Sequence, residues 1–327
     1  MGDVTTSNGP NIPTSESKYI DIINCGNSVL NGRYIMKNSL FFSKDATHHI
    51  YRHNGVWRLG NCGVSLYREL FDFDVNKLEN MQYDMDNQYI NICFCSDENL
   101  IEFIPVVINS ILNRNTQYKI NIFYIHNITN KSKINNLKNY ILQFPNLTFT
   151  SFYKEWNYKY KGLKHVTVAT MLRIFIPELI KKSKVLYLDI DIIVNLDLLD
   201  IYNIDCGPTG IAMKNSIVYS ELKDKQSGNC GIMLMNLDTL RKNKFIEKCL
   251  NIHKQNPSGH DQHIINIYCN GKHAKLKQNH NVFFKQDDSH LKQENSFILH
   301  YAGNKKPYYV NTGKYQYLWN INKKKMI

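Results

Sequence analysis

Two aspartates, Asp189 and Asp191, interrupt the otherwise almost wholly apolar run Val185-Leu186-Tyr187-Leu188-Asp189-Ile190-Asp191-Ile192-Ile193-Val194. In extended backbone, residues i and i+2 point to the same face, so both carboxylates are expected to project together from the end of a buried strand. Neighbouring carboxylates in apolar surroundings repel, and each carries a desolvation cost. A divalent cation removes both penalties, and hard ions such as Mn²⁺ or Mg²⁺ favour oxygen ligands and bridge to substrate phosphates. A calcium loop of the EF-hand kind does not fit, because Ile193 and Val194 stand where an oxygen ligand and a glycine are needed. A purely structural alternative is that the two aspartates cap the following turn.

The elements needed to hold this pair are legible around it. Ile90 to Cys95 reads as a buried strand, and Leu100, Phe103, Ile104, Val107, Ile108 and Ile111 recur at helical spacing. Lys119 to Ile125 is a second strand, Ser132 to Phe144 a helix, Leu147 to Tyr153 a third strand, Val166 to Ile180 a helix, and Val185 to Leu188 a fourth strand. Strands alternating with helices predict an α/β domain with a mostly parallel sheet, and ligands in such sheets sit at the carboxyl ends of the strands. The aspartate pair lies at such an end.

The region before this domain differs in character. Residues 1–17 are rich in Ser, Thr, Asn, Gly and Pro and are expected to be unstructured. Residues 18–75 read as a small β module, with hairpin signals at Asn31-Gly32 and at Asn54-Gly55, the latter between His49–His53 and Val56–Leu59. Trp57 fits either a glycan-binding surface or the small core of this module. The polar residues 76–88 read as a linker, leaving 89–327 as the α/β domain.

Bulk properties narrow the function classes. The chain has 327 residues, with 40 Lys and Arg against 28 Asp and Glu, a formal net charge of +12. The lysines are scattered, and no basic-aromatic cluster marks a nucleic-acid surface. No apolar run approaches the roughly 18 residues of a membrane span. The eight cysteines are dispersed without a Cys-x-x-Cys pair, and the polar N-terminus lacks a signal-peptide core, so a reduced, cytoplasmic protein is expected.

Ala169-Thr170-Met171-Leu172-Arg173, followed by Lys184-Val185-Leu186-Tyr187-Leu188-Asp189-Ile190-Asp191, resembles retaining glycosyltransferase family 8, which includes bacterial lipopolysaccharide galactosyltransferases and glycogenin. Four more segments match in the family's order: Cys95–Asn99 after the first strand, Gly228–Leu237, Gly259–Asn266 and His300–Pro307. The resemblance covers about residues 89 to 310. Two departures stand out: His263 replaces the last aspartate of the family's Asp-Gln-Asp, and Cys230 replaces a usual alanine.

The resemblance implies a Rossmann-like fold of the GT-A kind, a nucleotide-sugar donor (usually a UDP-sugar), Mn²⁺ with Mg²⁺ as an option, and a glycan or protein acceptor. It implies Asp189, Asp191 and His300 as metal ligands, and Lys306 and the backbone of Gly303 on the diphosphate. Asp97, Asn99 and Ile190 are expected on the nucleotide, and Asn229, Asp261 and Gln262 on the sugar hydroxyls. Arg173 is expected on the donor, and Gln262 near the anomeric carbon. Gln262 is a neutral amide and a poor nucleophile, so departure of the diphosphate with front-side attack by the acceptor is favoured over a covalent intermediate. The alternative from another class is a catalytically silent nucleotide-sugar or glycan-binding protein, which has no need of intact Asp189, Asp191 and His300.

Overall fold

The computed structural model describes residues 89–158, 168–216, 226–284, 296–303, 305–313 and 315–324, together with the backbone of six strands that precede them. The chain divides into two compact units, Met1–Gln88 and Tyr89–Ile327.

In the first unit, β1 (Asp3–Asn8), β2 (Lys18–Ile23), β3 (Gly32–Asn38), β4 (Phe41–Ser43), β5 (His48–His53) and β6 (Val56–Asn61) form one sheet in sequence order, every pair antiparallel. The β5–β6 ladder closes on His53↔Val56; the expected turn Asn54-Gly55 lies outside the described residues. Asn31-Gly32 is different. Gly32 pairs with Ile22 as the first residue of β3, whereas a two-residue turn at that position would have paired the residues flanking it. β1 falls within the segment expected to be unstructured: its backbone pairs with β2 along a ladder that runs from Asp3↔Ile23 to Asn8↔Lys18. The expected linker 76–88, and residues 62–75 of the expected module, lie outside the described residues.

The second unit is built on a seven-stranded sheet. Its strands are β7 (Tyr89–Ser96), β8 (Lys119–His126), β9 (Leu147–Tyr153), β10 (Lys184–Leu188), β12 (Ile211–Ser216), β13 (Ser227–Asn236) and β14 (Ala274–Lys275), in the order β14-β12-β13-β10-β7-β8-β9. The pairs β7–β8, β8–β9, β7–β10 and β12–β14 are parallel, and β13 runs antiparallel to both of its neighbours. The sheet is therefore mostly parallel, as expected.

Period-two alternation divides the central strands between two cores. Ile92, Phe94, Ile122, Tyr124, Leu186, Leu188, Ile232 and Leu234 face one, together with Ile104, Val107, Ile108 and Ile111 of the helix Ile104–Asn115. Cys93, Cys95, Phe123, Ile125, Val185, Tyr187, Met233 and Met235 face the other, with Met171, Leu172, Ile264 and Ile265. A sheet covered on both faces needs apolar residues at successive positions, which is why these strands read as continuous hydrophobic runs.

The predicted helix Val166–Ile180 is instead a 3₁₀ segment, Val168–Phe175, followed by the single α turn Ile176–Leu179. Pro177 has no N–H to close an α-type bond to the carbonyl of Arg173, and the carbonyl of Thr170 is taken by the Arg173 side chain at 3.0 Å.

The strand expected over Val185–Leu188 is β10, and the two aspartates follow its end. β10 ends at Leu188, and the chain crosses through Asp189–Asp191 into a second, three-stranded sheet made of β11 (Ile192–Asn195), β16 (Phe297–His300) and β15 (Val282–Phe283). The two aspartates thus occupy the hinge between sheets. Asp189 still donates its N–H to Gly231 at 2.7 Å in the first sheet, and Asp191 accepts from the N–H of Tyr301 at 2.9 Å beside the second.

Candidate active site

Register explains the convergence of groups distant in sequence. β11 pairs antiparallel with β16 so that Ile192 lies opposite His300, which brings the imidazole beside the hinge. Asp189, Asp191 and His300 each offer a ligand atom, and these atoms all lie within 4.8 Å of one another. His300 Nε2 is 3.5 Å from Asp191 Oδ1 and 3.8 Å from Asp189 Oδ2. Two carboxylates and one imidazole form a donor set suited to a hard or borderline divalent cation.

Positive charge surrounds the carboxylates. Lys306 donates from its ammonium to Asp191 Oδ2. Burial alone would raise the Asp191 carboxyl, but Lys306 and His300 together outweigh it and hold the group well below the usual carboxylate range. Asp189 accepts from the Tyr187 hydroxyl at 2.6 Å and from Arg173 Nη2 at 3.0 Å. Tyr187 precedes Asp189 by two residues and so shares its side of the chain.

Arg173 is buried rather than solvated. Besides Asp189 it meets Asp261 Oδ2 at 3.1 Å through Nε and the carbonyl of Cys230 at 2.8 Å through Nη1, and its guanidinium lies 4.4 Å from the centre of the Tyr187 ring. Burial disfavours its charge, but Asp261, Tyr187 and Asp189 more than compensate and raise its pKa further. Instead of reaching outward, this arginine ties the hinge to the helix Asp261–Cys269.

That helix also carries Gln262. His260 caps it by accepting from the N–H of His263 at 3.4 Å. His263, the departure from Asp-Gln-Asp, is buried in the first turn. Gln262 Oε1 accepts from Asn229 Nδ2 and from the N–H of Cys230, both at 3.1 Å. Asn266 clamps the helix to β13, accepting from the N–H of Gly228 at 2.6 Å and donating to its carbonyl at 2.8 Å.

The first-strand segment reaches the same region. Asp97 Oδ1 accepts from the N–H of Asn99 at 3.0 Å, closing a local turn; the following 3₁₀ turn has Leu100, not Asp97, as its N-cap. The Tyr308 ring stacks on Phe103 with centroids 4.4 Å apart, and burial, then Asp191, Tyr309, Asp189 and Asp97, push its hydroxyl to a higher pKa. The side chain of Ile190 packs into the core, which leaves only its backbone for a ligand. Gly303 has φ 103°, a backbone form that favours glycine.

Three residues of this site had not been singled out by their sequence context: Tyr187, Tyr308 and Asn281. Tyr187 was recoverable from its i−2 relation to Asp189. Asn281 stands alone in Gln278-Asn279-His280-Asn281, with nothing local to distinguish it from Asn279.

Solved structures with this arrangement of strands are glycosyltransferases of the GT-A fold. The galactosyltransferase LgtC, in a complex with donor and acceptor sugar analogs, superposes with a TM-score of 0.58 at 16% identity over 72% of this chain and 96% of its own. The glycosyltransferase GlyE of Streptococcus pneumoniae, in its apo form, gives a TM-score of 0.58 at 20% identity over 72% of this chain and 60% of its own. The chain belongs to glycosyl transferase family 8, whose profile matches residues 91–311. A putative glycosyltransferase of Haemophilus influenzae is 30% identical over 247 residues, 66% of this chain and 72% of the relative. Glycosyltransferase GlyF of Streptococcus pneumoniae is 32% identical over 165 residues, 47% of this chain and 41% of the relative, so this chain spans less than half of that protein. No helix among the described residues is long and apolar enough to cross a membrane.

Proposed function

We propose that this glycosyltransferase moves a hexose from a UDP-hexose to a glycan or protein acceptor, with retention of the donor's configuration, and that Asp189, Asp191 and His300 hold Mn²⁺, or Mg²⁺ in its place. The observation that carries this reading is the gathering of those three ligand atoms within 4.8 Å at the carboxyl end of β10. A bound divalent cation would offset the charge that builds on the diphosphate as it leaves.

The chain's own residues have distinct parts in this reading. Lys306, on Asp191, is within reach of a diphosphate bound at the hinge and adds a second positive charge there. Gly303 lets backbone approach the phosphates. Asp97 and Asn99 hold the nucleoside, and the backbone of Ile190 lies beside it. Asn229, Gln262 and Asp261 select the sugar, and Arg173 fixes Asp189 and Asp261 relative to each other. Residues 89–327 carry the activity.

Among the described residues, the two expected nearest the sugar support retention. An inverting enzyme needs a general base opposite the leaving group. Gln262 is an amide, and the Asp261 carboxylate is buried and engaged by Arg173 at 3.1 Å. Neither is suited to take a proton from an acceptor hydroxyl. Proton NMR of the first product formed from a UDP-α-hexose is expected to show an α linkage; a β linkage overturns the retaining assignment and the roles of both residues.

UDP is expected to raise the unfolding temperature of the full chain more with Mn²⁺ than with EDTA, because a ligand bound by the folded state stabilises it by mass action. The fragment 89–327 is expected to show the same difference. Equal shifts with and without metal count against a bridging cation. A folded fragment that ignores UDP would move the functional boundary upstream of residue 89.

A further inference from the structure

We infer that Asn281 is a positioning residue: it fixes the tautomer of His300 and joins the proposed cation site to the amides of Asn229 and Gln262. This rests on the reading of His300 as a cation ligand given above.

The orientation of the whole relay follows from two backbone groups that can only donate. The N–H of Cys230 points at Gln262 Oε1 at 3.1 Å, so that atom is the amide oxygen. The N–H of Gly231 points at Asn229 Oδ1 at 3.1 Å, which fixes that oxygen in turn and directs Asn229 Nδ2 to Gln262 Oε1 at 3.1 Å. The Asn281 atom 2.9 Å from Asn229 Oδ1 must then be a donor, its amide nitrogen. Its oxygen is left 3.1 Å from His300 Nδ1. An oxygen there requires the hydrogen on Nδ1. In its neutral form the ring then carries no hydrogen on Nε2, the nitrogen nearest Asp189 and Asp191, which is the form a ligating histidine needs.

Asn281 is itself held for this task. It is fully buried, and the ammonium of Lys214, also buried, donates to its carbonyl at 2.9 Å. Lys214 lies across from Asn229 in the β12–β13 ladder, so the strand that carries Asn229 and the strand that carries Lys214 fix the relay from both sides.

The test uses the full chain, with Mn²⁺ in the presence of UDP as the probe, and reads free Mn²⁺ by electron paramagnetic resonance. Asn281→Leu removes the acceptor for Nδ1–H and is expected to weaken Mn²⁺ binding by about 10- to 100-fold, the range seen when a partner of a metal-bound histidine is lost. Asn281→Asp keeps an oxygen opposite Nδ1 but loses the donor to Asn229. It is expected to bind Mn²⁺ within about 3-fold of the wild type while its KM for the UDP-hexose rises. Wild-type Mn²⁺ affinity in a folded leucine variant overturns the inference. So does a folded aspartate variant that binds Mn²⁺ as weakly as the leucine variant, since a packing role would not distinguish the two. Should circular dichroism show the leucine variant unfolded, the aspartate variant decides alone, by whether Mn²⁺ affinity is kept. A wild-type chain that binds no Mn²⁺ with UDP present defeats the metal reading itself, a result distinct from any difference between variants.

Discussion

Asp191→Asn is expected to lower sugar transfer by about 10²-fold or more, the scale on which preorganised charges act in such sites. The aspartate is 4% exposed and is the point where Lys306 and His300 meet, so its amide would remove a ligand oxygen and leave the Lys306 ammonium without its carboxylate. Two terms act on the metal-free fold in opposite senses: the Lys306 pair is lost, and the repulsion between the two hinge carboxylates is relieved. The unfolding temperature in EDTA should therefore move little while turnover collapses. Turnover and thermal unfolding of the same preparation separate these effects, and a folded variant with wild-type turnover removes Asp191 from the site.

The second large effect is expected at a residue with no functional group. A Cβ built on Gly231 would lie 2.2 Å from His300 Cε1, 2.8 Å from His300 Nε2 and 2.9 Å from Asp189 Oδ2. The obstacle is a buried ring, fixed by Asn281, and a carboxylate held by Tyr187 and Arg173, so neither can swing aside cheaply. Gly231→Ala must displace one ligand or the other. It is expected to reduce turnover by about 10²-fold or more and to cost roughly 1–3 kcal/mol of stability, as overpacking does. Turnover near wild type, measured beside an unfolding curve, would mean that the three ligand atoms do not act together.

Much of this was legible in the sequence, and the reasons differ from element to element. The strands β7, β8, β9 and β10 announce themselves because a sheet buried on both faces needs unbroken apolar runs. Asp189 and Asp191 were conspicuous against such a run. Their position at the end of a strand was legible, but not the change of sheet that follows: the apolar character continues through Ile192–Val194 because β11 is buried too, in another sheet, and hydrophobicity alone does not register the crossing. The segment 168–175 reads as an α-helix from its apolar spacing; the missing donor of Pro177 is written in the sequence, but the hydrogen bond from Arg173 to the carbonyl of Thr170 depends on tertiary placement. Arg173 itself was expected to touch the donor; only the fold shows it buried between two aspartates. Asn281 was invisible, because its importance lies in a chain of amides contributed by three separate segments.

The most direct test of the central claim is release of UDP from a panel of UDP-hexoses by the full chain, assayed with Mn²⁺, with EDTA, and with Mn²⁺ restored after EDTA. The account predicts release from at least one UDP-hexose with Mn²⁺, its loss in EDTA, and its recovery when Mn²⁺ is returned. Release that persists unchanged in EDTA would contradict the role given to Asp189, Asp191 and His300, and a folded chain that releases UDP from no member of the panel would contradict the donor.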